Sequence, residues 1–472
     1  MSRIKFGTSG WRAIISEDFT FDNVRLVVQA IADYIKHYSC LTYNPTVVVG
    51  GDTRFLSDEF SKEAAKVLSS NGIKVLLCNR DVPTPAIALH VIKEKCAGGI
   101  NFTASHNPPY YNGIKFSFSN GGPAPPETTK NIEHNITRLQ RVNHKRIYIA
   151  NEKLIKVFDP KPLYLKQVEK IVDLKAIRQA KLKIAIDCLY GTSRGYLDLI
   201  LKKLGVEPIV LHNYLNPSFG GRRPEPASEN IQELIGIVKE KRLHLGLATD
   251  GDADRFGIVD SDGTYITPNE VITLLLYHLL NTRKLKPDSV VARSLATTHM
   301  IDVIAKKHNI KVLETPVGFK YFVDAIISGK CVIAGEESGG LSLSGHVPEK
   351  DGILACLLIA EMVAKEKKPI KKILDNIYKK YGRLYSDKED LTLSNDKKLL
   401  LMKKLISPKI NKFAGKKIIR RDIRDGCKFY LADGSWVLFR PSGTEPIVRN
   451  YFESSSKKTL KAIAVECKKI VA

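Results

Sequence analysis

Three times along this 472-residue chain an apolar stretch ends in a turn, passes into a helical pattern and returns as a second apolar stretch. The first passage is TVVVGGDTR, SDEFSKEAAKVLSSNG and IKVLLCNRD. The second is KLKIAIDCLYG, TSRGYLDLILKKLG and VEPIVLH, and the third is DSVVARS, LATTHMIDVIAKKHN and IKVLETPVG. Short apolar runs bounded by turn residues suit buried strands, and the period between them suits a covering helix. Parallel strands need such crossovers, so each passage predicts a βαβ unit. Their recurrence predicts three related α/β domains with mixed sheets. Polar joints at TRLQRVNHKRIYIANEK, DSDGTYITPNE and KKYGRLYSDKEDLTLS divide the chain into residues 1–150, 151–262, 263–378 and 379–472. The last portion differs: KFYLADGSWVLFRP and PIVRNYFES surround a turn-rich loop before a final helix, which predicts a smaller α+β domain.

Composition narrows the function. A hydrophobic content of 43% with 26% charged residues is that of a soluble globular protein. The start, MSRIKFGTSGW, lacks the apolar segment of a signal peptide, and VITLLLYHLL and ILACLLIA are too short to span a bilayer. A cytoplasmic location without a membrane partner is expected. The eight cysteines, at positions 40, 78, 96, 188, 331, 356, 427 and 467, show no CxxC pair and no zinc-type spacing, as free thiols would. A net charge of +24 admits nucleic acid, membrane surfaces or anionic metabolites. The excess is mostly lysine spread along helical patterns such as AKEKKPIKKI, and no aromatic RNA-reading motif or groove-binding module accompanies it. No nucleic-acid partner is expected.

The chemistry gathers in loops. GGINFTASHN, LGLATDGDADR and CVIAGEESGG each set a polar loop at the carboxyl end of a short strand, where open α/β sheets bind ligands. In the first, Ser105 stands beside His106, either as an ordinary hydroxyl or as the seat of a covalent intermediate. In the second, Asp250, Asp252 and Asp254 alternate before Arg255. Carboxylates so close repel unless a hard cation holds them, and Mg²⁺ suits because it keeps room for water or phosphate oxygens. An acidic surface turn is the plain alternative, but LHLGLA and FGIVD bury the flanks. An EF-hand would need glycine and glutamate where Arg255 and Ser261 stand.

FRPSGTEPIVR carries Arg440, Ser442, Thr444 and Arg449 about Gly443. Two guanidinium forks, two hydroxyls and inward amides make a cradle for a phosphate dianion; a hairpin turn with incidental arginines is the alternative. GEESGG offers Glu336, Glu337 and Ser338, acidic acceptors and a hydroxyl that suit vicinal sugar hydroxyls or remain solvated, with Lys350 following in PEKDG. Arg12 in GTSGWR is a phosphate contact or part of a turn, and Lys115 in NGIKF is a proton-transfer group or a surface lysine. One competitor is a serine hydrolase, because YGTSRG puts Ser193 in a G-x-S-x-G frame between strand and helix. It needs a histidine, yet none of His244, His299, His308 and His346 lies in a loop prepared for it, and it leaves the aspartates and arginines without a purpose.

With these residues in place, the chain resembles the α-D-phosphohexomutase family, which includes phosphoglucomutases and phosphomannomutases. FGTSGWR, TASHNPPYYNGIK, DGDADR, GEESGG and RPSGTEPIVR occur in the family's order and at about its spacing, over nearly the whole length. The resemblance implies four domains around a central cleft, the fourth closing on the substrate. It implies an intramolecular phosphotransferase that interconverts the 1-phosphate and 6-phosphate of glucose or mannose through a phosphoserine at Ser105. Hexose 1,6-bisphosphate would be both intermediate and activator. Asp250, Asp252, Asp254 and the phosphate on Ser105 would hold Mg²⁺, Arg255 would assist that site, and Arg12 would complete the first loop. His106 and Lys115 would serve proton transfer and transition-state charge. Glu336, Ser338, Lys350 and Gly318 would contact the sugar, and Arg440, Ser442, Gly443, Thr444 and Arg449 the phosphate not undergoing reaction. The partner would be a small phosphosugar, and the protein a monomer or homodimer. Some members carry histidine where this chain has Gly340, and the loop wording leans toward glucose and mannose phosphates, with phosphoglucosamine mutase the alternative within the family.

Overall fold

The computed structural model describes residues 4–7, 9–38, 45–144, 146–442 and 446–471. Among them the strands form four sheets. The first runs in the order Trp11–Ile14, Tyr111–Phe118, Gly98–Phe102, Thr46–Gly51, Lys74–Cys78 and Ile155–Phe158. Its last four strands are parallel and the first two antiparallel. Val47, Val48 and Val49 have no exposed surface, as befits a parallel strand covered on both faces. Ile155–Phe158 completes this sheet although it lies beyond the expected cut at residue 150.

The second sheet runs Tyr265–Ile266, Phe256–Asp260, Leu245–Thr249, Ile184–Asp187 and Ile209–Leu211, and the third Lys311–Thr315, Val290–Ser294, Cys331–Glu336 and Gly340–Ser342. In each of the three sheets a strand with a parallel neighbour turns back on itself as an antiparallel hairpin: Gly98–Phe102 into Tyr111–Phe118, Leu245–Thr249 into Phe256–Asp260, and Cys331–Glu336 into Gly340–Ser342. The loops of these three equivalent hairpins are the ones carrying Ser105, the aspartates and Ser338.

Two expected helices are shorter than their sequence patterns. The helix in the second passage covers Leu197–Lys203, with TSRG forming a turn, and that in the third covers Met300–Lys307. The segment ILACLLIA lies in helix Gly352–Glu366, every residue of which from Gly352 to Ala364 is buried. A helix apolar all round belongs inside, and this one packs against both the second and third sheets' domains as part of the largest apolar cluster. Among the described residues no helix is long and apolar enough to cross a membrane.

The fourth sheet is antiparallel throughout, in the order Tyr385–Thr392, Ile447–Ser454, Trp436–Pro441, Cys427–Leu431, Lys416–Asp422 and Lys412–Phe413. Helices Asn395–Ile406 and Lys457–Val471 cover it over a core of Phe413, Phe429, Phe439, Phe452 and Ile463. The stretch expected as a plain joint before it contains the edge strand Tyr385–Thr392, and helix Ile370–Tyr381 runs through the boundary expected at 378.

Candidate active site

Ser105 is fully buried in the first hairpin loop with φ at 52°, a left-handed conformation that costs a non-glycine residue on the order of 1 kcal/mol. Neighbouring groups hold it there. Its amide donates to Thr103 Oγ1 at 2.8 Å. The Arg54 guanidinium donates to the carbonyls of Ser105, Asn107, Pro108 and Tyr111 at 2.6–2.9 Å, and to Asp52 Oδ2 at 3.1 Å. Asp52 in turn accepts from the hydroxyls of Thr103 and Ser57. Burial pushes the Asp52 carboxyl up to about 6 against the pull of Arg54. Sequence reasoning missed this pair; the available signal was an Asp-x-Arg directly after the uninterrupted apolar strand TVVVGG.

Across the domain boundary, Ser105 Oγ donates to Asp250 Oδ2 at 2.7 Å. Asp250, Asp252 and Asp254 have no exposed surface, and each offers an oxygen within 4.8 Å of the others. Lys115 Nζ lies 2.5 Å from Asp252 Oδ2 and 2.6 Å from Asp254 Oδ2, and Lys350 Nζ lies 2.8 Å from Asp254 Oδ2. The Thr84 hydroxyl donates to Asp252, and the Arg255 amide to Asp250 Oδ1 at 2.9 Å. Burial, then repulsion from Asp254 and Asp252, pushes Asp250 well above the usual carboxylate range. Burial acts on Asp254 too, but Lys115, Lys350 and Arg255 outweigh it and hold that carboxyl well below the range.

Asp252 Oδ1 and Asp254 Oδ1 are buried without a hydrogen-bond partner. Two such oxygens beside a third carboxylate, in a cluster where each residue offers an oxygen within 4.8 Å of the others, are a donor set that suits a hard divalent cation. The residues present fit Mg²⁺.

His106 Nδ1 is 3.5 Å from Ser105 Oγ. Burial, then the charges of Arg255 and Arg12, holds this imidazole well below its ordinary value, so it stays neutral. Arg12 donates to Asn107 Oδ1 at 2.8 Å, bracing the same loop from the edge strand.

The third hairpin loop meets the second through Phe256, whose amide donates to Gly339 O at 3.2 Å. Glu336 accepts from the Gly318 amide at 2.7 Å, and burial followed by the nearby Glu337 pushes its carboxyl up to about 7. Ser338 occupies the turn itself. Gly340 has a steric reason: a Cβ there would lie 2.3 Å from Lys350 Cδ. The bare backbone lets the lysine stem cross the strand and reach Asp254.

On the fourth sheet Arg440 and Arg449 are directly opposed in neighbouring strands, so both side chains leave the same face. Like charges so paired destabilise a sheet unless an anion joins them. Arg440 Nε donates to Asp425 at 2.8 Å, Arg449 Nε lies 3.9 Å from Asp390, and the Ser442 carbonyl accepts from Lys398. Gly443 and Thr444 lie outside the described residues.

Direct contacts thus unite Ser105, the three aspartates, Lys115, Lys350 and Arg255, with His106 and Arg12 at the same loop. Ser193 stands apart. Its hydroxyl is buried and accepts from Thr249 Oγ1 at 2.7 Å, and no imidazole contacts it among the described residues, which removes the basis for a hydrolase nucleophile.

The phosphoglucomutase/phosphomannomutase domain descriptions match this chain in order: α/β/α domain I at residues 3–143, II at 162–263, III at 267–381 and the C-terminal domain at 393–470. A phosphoglucomutase/phosphomannomutase of Thermococcus kodakarensis is 32% identical, covering 96% of this chain and 95% of its own. A "Probable phosphoglucosamine mutase" of Methanosphaera stadtmanae is also 32% identical, covering 97% and 96%. Among solved structures, a Thermus thermophilus protein described as a "putative phosphomannomutase" superposes with a TM-score of 0.85 at 31% identity, covering 100% of this chain and 99% of its own.

Proposed function

Since the chain belongs to the phosphoglucomutase/phosphomannomutase family of phosphohexomutases, which are isomerases, we propose that it interconverts glucose or mannose 1-phosphate and 6-phosphate by carrying a phosphoryl group on Ser105. The observation that supports this best is the 2.7 Å contact from Ser105 Oγ to Asp250, which sets a strained, buried hydroxyl against a carboxylate cluster with two unpartnered oxygens. In the first transfer the bond from phosphorus to Ser105 Oγ breaks and one to the sugar O6 forms, leaving the 1,6-bisphosphate. In the second, the phosphoryl group on O1 returns to Ser105 Oγ, and the 6-phosphate is released. The proton of the attacking hydroxyl and the proton needed by the departing oxygen exchange within the loop.

Phosphoryl transfer asks mainly for positioning and charge neutralisation. Held by Asp250, Asp252 and Asp254, Mg²⁺ would neutralise charge on the phosphoryl oxygens. Lys115, kept protonated by Asp252 and Asp254 despite its burial, and Arg255 add fixed positive charge. His106 stays neutral and offers a site for the moving proton 3.5 Å from the hydroxyl. Glu336, Ser338, Lys350 and the backbone at Gly318 face the sugar, and Arg440, Ser442 and Arg449 hold whichever phosphate is not reacting. One cradle then serves both orientations of the bisphosphate, which also acts as activator by phosphorylating an empty Ser105.

A phosphoglucosamine mutase is the second reading, favoured by the Methanosphaera relative at equal identity. Parallel assays with glucose, mannose and glucosamine 1-phosphates, with Mg²⁺ and the matching bisphosphate, decide between them. Glucose or mannose 1-phosphate is expected to give kcat/KM at least about tenfold above the amino sugar, a difference of about 1.4 kcal/mol; the reverse order would replace the first reading by the second.

Arg54 gives a further expectation. A lysine keeps the charge but has three donors and no planar fork, so it leaves buried carbonyls of the Ser105 loop unmatched. Arg54→Lys is expected to lower kcat about 100-fold, the scale of displacing a reacting group by about 1 Å, with little change in KM. Steady-state kinetics read this directly.

A further inference from the structure

Asp425 lies in the turn between strands Lys416–Asp422 and Cys427–Leu431, a segment to which no part in the reaction has been assigned. Its Oδ2 accepts from Arg440 Nε at 2.8 Å and from the Val317 amide at 2.9 Å. The first donor belongs to the fourth domain's phosphate cradle. The second belongs to the third domain and immediately precedes Gly318, whose amide donates to Glu336. A single carboxylate oxygen therefore touches both sides of the domain boundary.

Two features keep it there. Gly426 has φ at 91°, and a Cβ at that position would lie 2.1 Å from Phe439 O, so only glycine lets this turn press against the strand carrying Arg440. Val317 also packs at the edge of an apolar cluster that joins Leu295 and Ala296 of the third domain to Trp436, Leu438 and Tyr451 of the fourth.

We propose that Asp425 is a positioning residue that aims Arg440 at the non-reacting phosphate and pins the cradle to the sugar loop through Val317. The inference rests on the mutase reading given above. Fixing Nε fixes the plane of the guanidinium, and so the direction in which its terminal nitrogens meet a phosphate. Without the carboxylate, Arg440 must be ordered by the substrate itself, a cost that falls on binding and not on the chemical step.

The test compares Asp425→Ala, Asp425→Asn and Asp425→Glu with the parent enzyme, using steady-state kinetics and isothermal titration with inorganic phosphate. Asp425→Ala and Asp425→Asn are expected to raise KM for the hexose 1-phosphate about tenfold while kcat changes less than about threefold. They should weaken phosphate binding in proportion, and Asp425→Glu should recover most of the loss. An unchanged KM would overturn the proposal. So would a loss confined to kcat, accompanied by a lower melting temperature and not recovered by glutamate, because that pattern marks a merely structural contact. If the parent enzyme had no mutase activity, the function would fail on its own account, and the phosphate titration would still decide whether Asp425 aims Arg440.

Discussion

Ser105→Ala is expected to lower mutase turnover by about 10⁴-fold or more, because it removes the group that carries the phosphoryl unit and not one of several stabilising contacts. Intact-mass measurement should show a phosphorylated fraction in the parent enzyme after incubation with hexose 1,6-bisphosphate, and none in the variant. The fold should survive. Alanine inherits the left-handed backbone at φ 52°, which Arg54 and Thr103 hold through main-chain atoms that the substitution leaves in place. What is lost is one hydrogen bond to Asp250, worth about 1 kcal/mol, or somewhat more because the acceptor stays buried. The variant should therefore still bind hexose 1-phosphate, through Arg440, Arg449 and the sugar loop. Turnover close to that of the parent would mean that phosphate travels by another group, and the proposed mechanism would fall.

The residues of this site are legible in the sequence to the extent that their chemistry is local. Three aspartates at alternate positions repel one another in any fold, so the DGDADR pattern by itself calls for a counter-charge. The strand-to-loop junctions are legible for a similar reason, since glycine and polar residues interrupt runs such as GGINF and LGLAT. Long-range pairings are not. Nothing in NGIKF says that Lys115 reaches residues 252 and 254, because that contact depends on two domains meeting. Arg54 is marked in the sequence only by its Asp-x-Arg spacing, because four of its partners are carbonyl oxygens, which every residue has. Strand Ile155–Phe158 falls outside the expected first domain because its flanks are polar and exposed, as an edge strand's are. Gly340 reads as a departure from relatives bearing histidine, and its reason, the stem of Lys350 lying across it, exists only in three dimensions.

Lys115→Met carries the second large effect, and metal dependence is its signature. Lys115 is the shared counter-ion of Asp252 and Asp254, with both carboxylates buried and the lysine 7% exposed. Removing one partner of a buried ion pair commonly costs about 3–5 kcal/mol, because the remaining charge is stranded in low dielectric. The carboxylates respond by taking up a proton.

That response shifts the pH dependence of stability. In the parent, Asp254 is held below its unfolded value, so its contribution is present above that value and is lost as pH falls through the folded one. In Lys115→Met the loss of its first-ranked attractive charge moves the folded value upward. If it rises above the unfolded value, stability declines as pH rises between the two. A divalent ion bound to the same carboxylates replaces the missing charge, and ligand linkage converts that into stability. Thermal melts in chelator and in excess Mg²⁺ should therefore differ more for Lys115→Met than for the parent, with the gap widening from pH 5 to pH 8. Activity should remain depressed by about 10²–10³-fold even at saturating Mg²⁺, because the lysine's charge beside the transferring phosphoryl group is not restored by the ion. A variant that melts like the parent in chelator would show that Lys115 does not balance the triad, and the assignment of the cluster as a cation site would lose its electrostatic basis.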